Sequence, residues 1–136
     1  MAEIKDFAVL AANNTARWPE GQLVPTLNDA GREDEAIIAR WFRDTNGSIT
    51  SSGTASAYAI LTNRVIPEHA AGNIFRFRAH LANDGAATIT INALASKALK
   101  RMNGDALVTG DIVTNQMVEI VYNPAQDWYE VTGVNA

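Results

Sequence analysis

Residues 26–47 read Thr26-Leu-Asn-Asp-Ala-Gly-Arg-Glu-Asp-Glu-Ala-Ile-Ile-Ala-Arg-Trp-Phe-Arg-Asp-Thr-Asn-Gly47, and no other stretch has so convincing a helical pattern. Thr26 is placed to cap the start, with Asp29 reaching back three residues later. Glu33, Asp34 and Glu35 put negative charge in the first half, while Arg40 and Arg43 sit nearer the end where the helix dipole favours cations. Asn46-Gly47 is a stop signal, because glycine adopts the left-handed conformation that closes a helix. Ile37, Ile38, Trp41 and Phe42 form two i, i+4 pairs and one broad apolar stripe. Trp41 and Phe42 could each bury on the order of 150–250 Å². Two coverings are open at this point: the chain's own β domain, or copies of the same helix. Gly31 weakens the helix by about 1 kcal/mol relative to alanine.

Upstream, residues 1–25 have little regular pattern and read as an extended arm. Residues 4–12 are a short extended segment, and Arg17-Trp18-Pro19-Glu20-Gly21 is a turn. Pro25 keeps Val24 extended ahead of the helix. Such an arm cannot bury its own apolar side chains, so Phe7, Leu10 and Trp18 need a surface elsewhere. Ordering costs roughly 1–2 kcal/mol per residue, which predicts an arm that orders only in an assembly.

Downstream, residues 48–56 are small and polar and read as a linker. Residues 57–136 carry a series of short β signals. In 73–80, Phe75 and Phe77 alternate with Arg76 and Arg78; in 88–92, Ile89 and Ile91 alternate with threonine. Asn83-Asp84-Gly85 is a strong turn, and Asn103-Gly104 closes a hairpin between 98–102 and 106–108. Segments 117–122 and 128–132 pair across Asn123–Asp127. The expected fold is α+β, mainly β: an arm, one helix, then a small antiparallel sandwich or barrel.

The 136-residue length suits one domain or a small domain with an extension. A net charge of −4 and a pI near 5.0 argue against a nucleic-acid partner, which needs a basic face. With no cysteine there is no disulfide, thiolate nucleophile or cysteine zinc site. Apolar runs fall well short of the roughly 18 residues of a membrane helix. Met1–Lys5 lacks the start of a signal peptide.

Two stretches resemble the amino-terminal and neck modules of bacteriophage tail fibre and receptor-binding proteins. The first is Ala12–Gly21 with Asn28–Arg32 and the helix to Gly47. The second runs Phe75–Ala79, Asn83–Ala93, Asn103–Leu107, Gly110–Val113 and Val118–Asn123. Neither is an active-site motif, so the resemblance implies architecture and role. It implies a trimeric virion protein, made in the host cytoplasm, whose amino-terminal end attaches to other tail or virion proteins. On that reading Phe7, Leu10, Arg17 and Trp18 serve attachment, and Ile37, Ile38, Trp41 and Phe42 serve the oligomer interface. Part of the stripe is expected at a three-fold axis and the rest on a β module. Many such proteins continue into a receptor-binding tip, so a chain ending at Ala136 is expected to be a short fibre, an adaptor, or a head fibre or capsid decoration protein.

A host-surface carbohydrate-binding module is the alternative, with Tyr122, Trp128 and Tyr129 as stacking platforms for a glycan. An enzyme such as a polysaccharide depolymerase would need paired carboxylates, and the sequence points to no pair. His69 reads as a surface turn residue and His80 as a strand-end residue, without an acid orienter for a serine triad. Asp44, Asn46, Asp84, Asp105 and Asp111 read as scattered turn residues, not a calcium loop. Lys97, Lys100 and Arg101 read as a solvated strand face. No catalytic residue, metal or cofactor is expected.

Overall fold

The computed structural model describes Pro19 and residues 21–134; the attachment residues Phe7, Leu10, Arg17 and Trp18 lie outside the described residues. Among the described residues, one helix, α1 (Val24–Thr45), is followed by eight strands. These are β1 (Ile49–Thr50), β2 (Ser52–Gly53), β3 (Ala57–Ile60), β4 (Ile74–Arg78), β5 (Ala87–Ile91), β6 (Lys97–Lys100), β7 (Met117–Asn123) and β8 (Trp128–Val131).

The strands follow from alternation. Phe75 and Phe77 of β4 face inward and are fully buried, opposite Ile120 and Val118 of β7. Ile89 and Ile91 of β5 lie beside Tyr58 and Ile60 of β3, and Leu99 of β6 beside Tyr129 of β8. A period of two puts each of these side chains on one face of the sheet, and a one-residue slip would expose them all. Leu107 and Ile112, from the loop between β6 and β7, complete the same core.

The sheet order is β1-β4-β7-β8-β6-β5-β3-β2. Its two outermost strands, β1 and β2, are separated in sequence by Ser51 alone. One extended run therefore pairs with both ends of the sheet, and the sheet curls into a nearly closed barrel. Closure removes exposed strand edges. Residues 48–56 are thus no flexible linker: Ile49 and Ser51 are buried, and the Ser51 N–H donates to the Arg78 carbonyl at 3.0 Å.

The mainly-β α+β reading holds, but the sheet is mixed rather than antiparallel. β1 with β4, β3 with β5 and β6 with β8 run parallel. The expected hairpin at Asn103-Gly104 shrinks to a single bridge, Lys100 to Ala106, because β6 pairs with β5 and β8 instead. Gly104 does take the turn conformation, at φ +90°.

α1 starts two residues earlier than its sequence signals place it. Its N-cap is Leu23, with no side-chain cap, and Pro25 lies in the first turn. Proline is tolerated there because its missing N–H has no intrahelical acceptor anyway. Thr26 is already helical and its hydroxyl donates to the Leu23 carbonyl at 2.8 Å, so the capping box with Asp29 does not form. The stop is as read: Gly47 turns at φ +85°, and a Cβ there would sit 2.7 Å from the Met117 methyl carbon.

Candidate interaction surface

α1 is fixed to the barrel near its carboxyl-terminal end. Its buried residues are Ile37 and Asp44, seven apart and so on the same face. Asp44 is the anchor. Its Oδ1 accepts the Asn63 N–H at 2.6 Å and the Asn63 Nδ2 at 2.9 Å. Its Oδ2 accepts the Arg64 N–H at 3.2 Å and the Arg64 Nε at 2.7 Å. A carboxylate at the negative end of a helix is unfavourable by itself; four donors from the segment after β3 offset that cost. The Arg64 guanidinium also lies over the Phe75 ring, 5.4 Å from its centre. Charge, hydrogen bonds and a π face therefore fix the helix end on the barrel.

The clamp orients the apolar stripe. Ile37 is fully buried in its own chain, so it is corrected from oligomer interface to internal packing. Ile38, Trp41 and Phe42 remain outside, exposed by 56%, 42% and 58%. Trp41 walls a groove of about 210 Å³ whose far side is formed by Arg64, Val65, Ile66, Pro67 and Asn73. Val65 is half exposed beside it. An exposed apolar surface of this kind marks an interaction site more often than a monomer's ordinary surface.

The proposed stacking aromatics are placed differently. Tyr129 is fully buried and Tyr122 nearly so, because both alternate inward on their strands. They pack together with ring centres 5.1 Å apart and present no free face to a sugar. Burial pushes the Tyr129 phenol up to about 12. Trp128 points outward on β8 and is half-buried, with the Lys100 ammonium over its ring and Gly104 against its edge.

His69 is a packing residue rather than a surface turn. Its Nε2 lies 2.8 Å from the Ala95 carbonyl and its Nδ1 3.1 Å from the Tyr129 hydroxyl. A carbonyl only accepts, so Nε2 carries the proton and the tyrosine donates to Nδ1. The ring also stacks on Tyr122. His80 lies just past β4 at the barrel seam. Its Nδ1 is 2.8 Å from Ser51 Oγ and its Nε2 3.1 Å from the Gly53 carbonyl. By the same logic Ser51 donates to the ring. Ser51 Oγ also accepts the His80 N–H at 3.0 Å, and the ring holds β1 and β2 in place.

The basic cluster is largely paired. Lys97 bridges Asp127 at 2.7 Å, and Arg101 grips Asp111 through Nε and Nη2 at 2.8 and 2.9 Å. Among the described residues, no three acids, histidines or cysteines converge on a metal-sized site. No described helix is long and apolar enough to cross a membrane.

Two residues carry more than their sequence reading assigned. Asp44, one of several acids at apparent turns, is the buried anchor. Asn83, read as a turn residue, is buried and satisfied at both ends of its amide. Its Oδ1 accepts the Gly110 and Ile112 N–H groups, and its Nδ2 donates to the Gly85 and Val108 carbonyls. No protein-family model matches the chain, and no curated protein is significantly similar to it.

Proposed function

We propose that this chain is a non-enzymatic bacteriophage virion protein, a short tail fibre or fibre adaptor that attaches to the particle and assembles as a trimer. The supporting observation is the exposed stripe of Ile38, Trp41 and Phe42 on a helix whose carboxyl-terminal end is clamped to the barrel. A connector needs a stable body and a surface left for its neighbours, and the chain has both. The resemblance of 12–47 and 75–123 to fibre attachment and neck modules supplies the class of assembly and the preference for three copies. The buried state of Tyr122 and Tyr129 weighs against the carbohydrate-module reading.

Antibodies raised against the whole chain test the location by electron microscopy of intact particles. Label on the tail or its fibres is the expected result. Label on the capsid would make the chain a head fibre or decoration protein, and unlabelled particles would overturn the reading. A glycan array probed with the full chain separates this function from carbohydrate recognition.

A further inference from the structure

The groove between Trp41 and the segment after β3 carries a donor that the fold leaves unused. Arg64 lines it. The Arg64 side chain is only 10% exposed, and its Nε is taken by Asp44. Its Nη2 is buried and has no hydrogen-bond partner. The Phe75 ring under the guanidinium offers a π face, which is a second-order acceptor. A buried donor without an acceptor is unfavourable, and a ligand that brings an acceptor removes that cost. Trp41 and Val65, exposed by 42% and 54%, are the parts of the wall that shift most readily to admit one.

The surroundings select the acceptor. Asp44 already neutralises the Arg64 charge, and Glu68 lines the same groove as an exposed carboxylate. An anionic ligand would therefore meet net negative charge, whereas a neutral carbonyl would not. Val65, Ile66, Pro67, Ala70 and Ala71 make most of the remaining wall aliphatic. Sugar hydroxyls seated against such a wall would lack partners. The volume of about 210 Å³ is below the roughly 300–1,000 Å³ of sites for drug-sized ligands and suits a single side chain. An amide carbonyl beside one aliphatic side chain is the repeating unit of a peptide.

We propose that this groove binds a peptide segment of a partner protein, seating one aliphatic side chain against Trp41, Val65 and Ile66 while a backbone carbonyl accepts a hydrogen bond from Arg64 Nη2. Arg64, Val65 and Ile66 also line a second, shallower hollow with Leu61 and Leu94, so the segment has apolar surface to continue over. The inference rests on the reading above only for the presence of a protein neighbour. The two fail separately, because labelling of particles does not involve the groove.

The test is an NMR titration of the whole ¹⁵N-labelled chain with small probes. Trp18, Trp41 and Trp128 give three indole N–H signals, and Trp41→Phe identifies the one at the groove. N-acetylleucine methylamide, a neutral diamide, should move that signal saturably, with a Kd of about 1–10 mM for so small a ligand. N-acetylleucine, with the same side chain and a carboxylate, should bind about fivefold more weakly. Arg64→Lys keeps the charge but removes Nη2, and should weaken binding of the diamide about tenfold or more. Ala71→Phe fills the groove from an exposed position and should do the same, and it reads binding even where Arg64→Lys loosens the clamp. No saturable movement with the diamide, or an unchanged affinity in Ala71→Phe, overturns the site. A folded Arg64→Lys that binds like wild type overturns the role of Nη2. Equal binding of the carboxylate overturns the neutral acceptor, and N-acetylglucosamine binding more tightly than the diamide at the same signal overturns the peptide in favour of a sugar.

Discussion

Replacing Asp44 by alanine removes the carboxylate that four donors share. Arg64 is then left with its side chain only 10% exposed and no counter-charge. Removing one partner of a buried ion pair costs about 3–5 kcal/mol. The Asn63 and Arg64 N–H groups lose their acceptor as well, at about 1–3 kcal/mol for each one that stays buried. These costs overlap, because a released helix end lets water reach the orphaned groups. A loss of about 4 kcal/mol is therefore expected, a large share of the about 5–15 kcal/mol available to a domain. With a urea dependence of about 2 kcal/mol per molar, the unfolding midpoint should fall by about 2 M. Equilibrium urea denaturation followed by tryptophan fluorescence reads this directly, since Trp41 lies one turn from the clamp. The double variant Asp44→Ala/Arg64→Met removes the stranded cation and should recover about half of the loss. A shift below about 0.5 M for Asp44→Ala, or a double variant no more stable than the single, would refute the anchoring role.

Two further outcomes follow from the fold. Gly53 has φ +96°, and a Cβ would collide with the Ala57 carbonyl oxygen, whereas Gly72 has φ +88° and open space around it. Gly72→Ala should lose only the left-handed backbone cost, about 1–2 kcal/mol, and Gly53→Ala clearly more; equal losses would mean the β2–β3 turn does not bring the Ala57 carbonyl against Gly53 as described. The Asp111 carboxyl is held below its ordinary 3.8, chiefly by the Arg101 hydrogen bond and against burial, with help from the Val108 N–H. A depressed carboxylate contributes its full stability above the unfolded value and loses it as pH falls through the folded one. The gap between wild type and Asp111→Asn in chemical denaturation should thus narrow on acidification below about pH 4; a gap constant from neutrality to about pH 2 would contradict this.

What the sequence disclosed was local. Alternation in 74–78 and 87–91 identified strands and their inward faces, because burial on one side of a sheet is written at a period of two. Asn46-Gly47 marked the helix end, because only a special backbone conformation stops a helix there. The pairing of those strands was not legible. Alternation says which way a side chain points but not which strand lies beside it, so the parallel pairs β3 with β5 and β6 with β8 left no signature. β1 and β2, at two residues each, are too short for any period, and their small polar residues gave the pattern of a linker.

The interaction surface divides along the same line. The apolar stripe was visible, but its partition between inside and outside was not, because a stripe centred near Ile37 and Trp41 can be turned either way about the helix axis. What turns it is Asp44, held by residues 19 and 20 positions further along the chain. An acid before Asn46-Gly47 looks like any solvent-exposed acid at a helix end until the donors opposite it are known. Chain geometry therefore sets the division: with the helix end clamped, Ile37 is buried while Ile38 and Phe42 face outward. A helix rotated by one residue, about 100°, would bury Ile38 and expose Ile37 instead. The outward surface is thus set by one carboxylate on its buried side, which is why an exposed stripe and a buried acid must be read together.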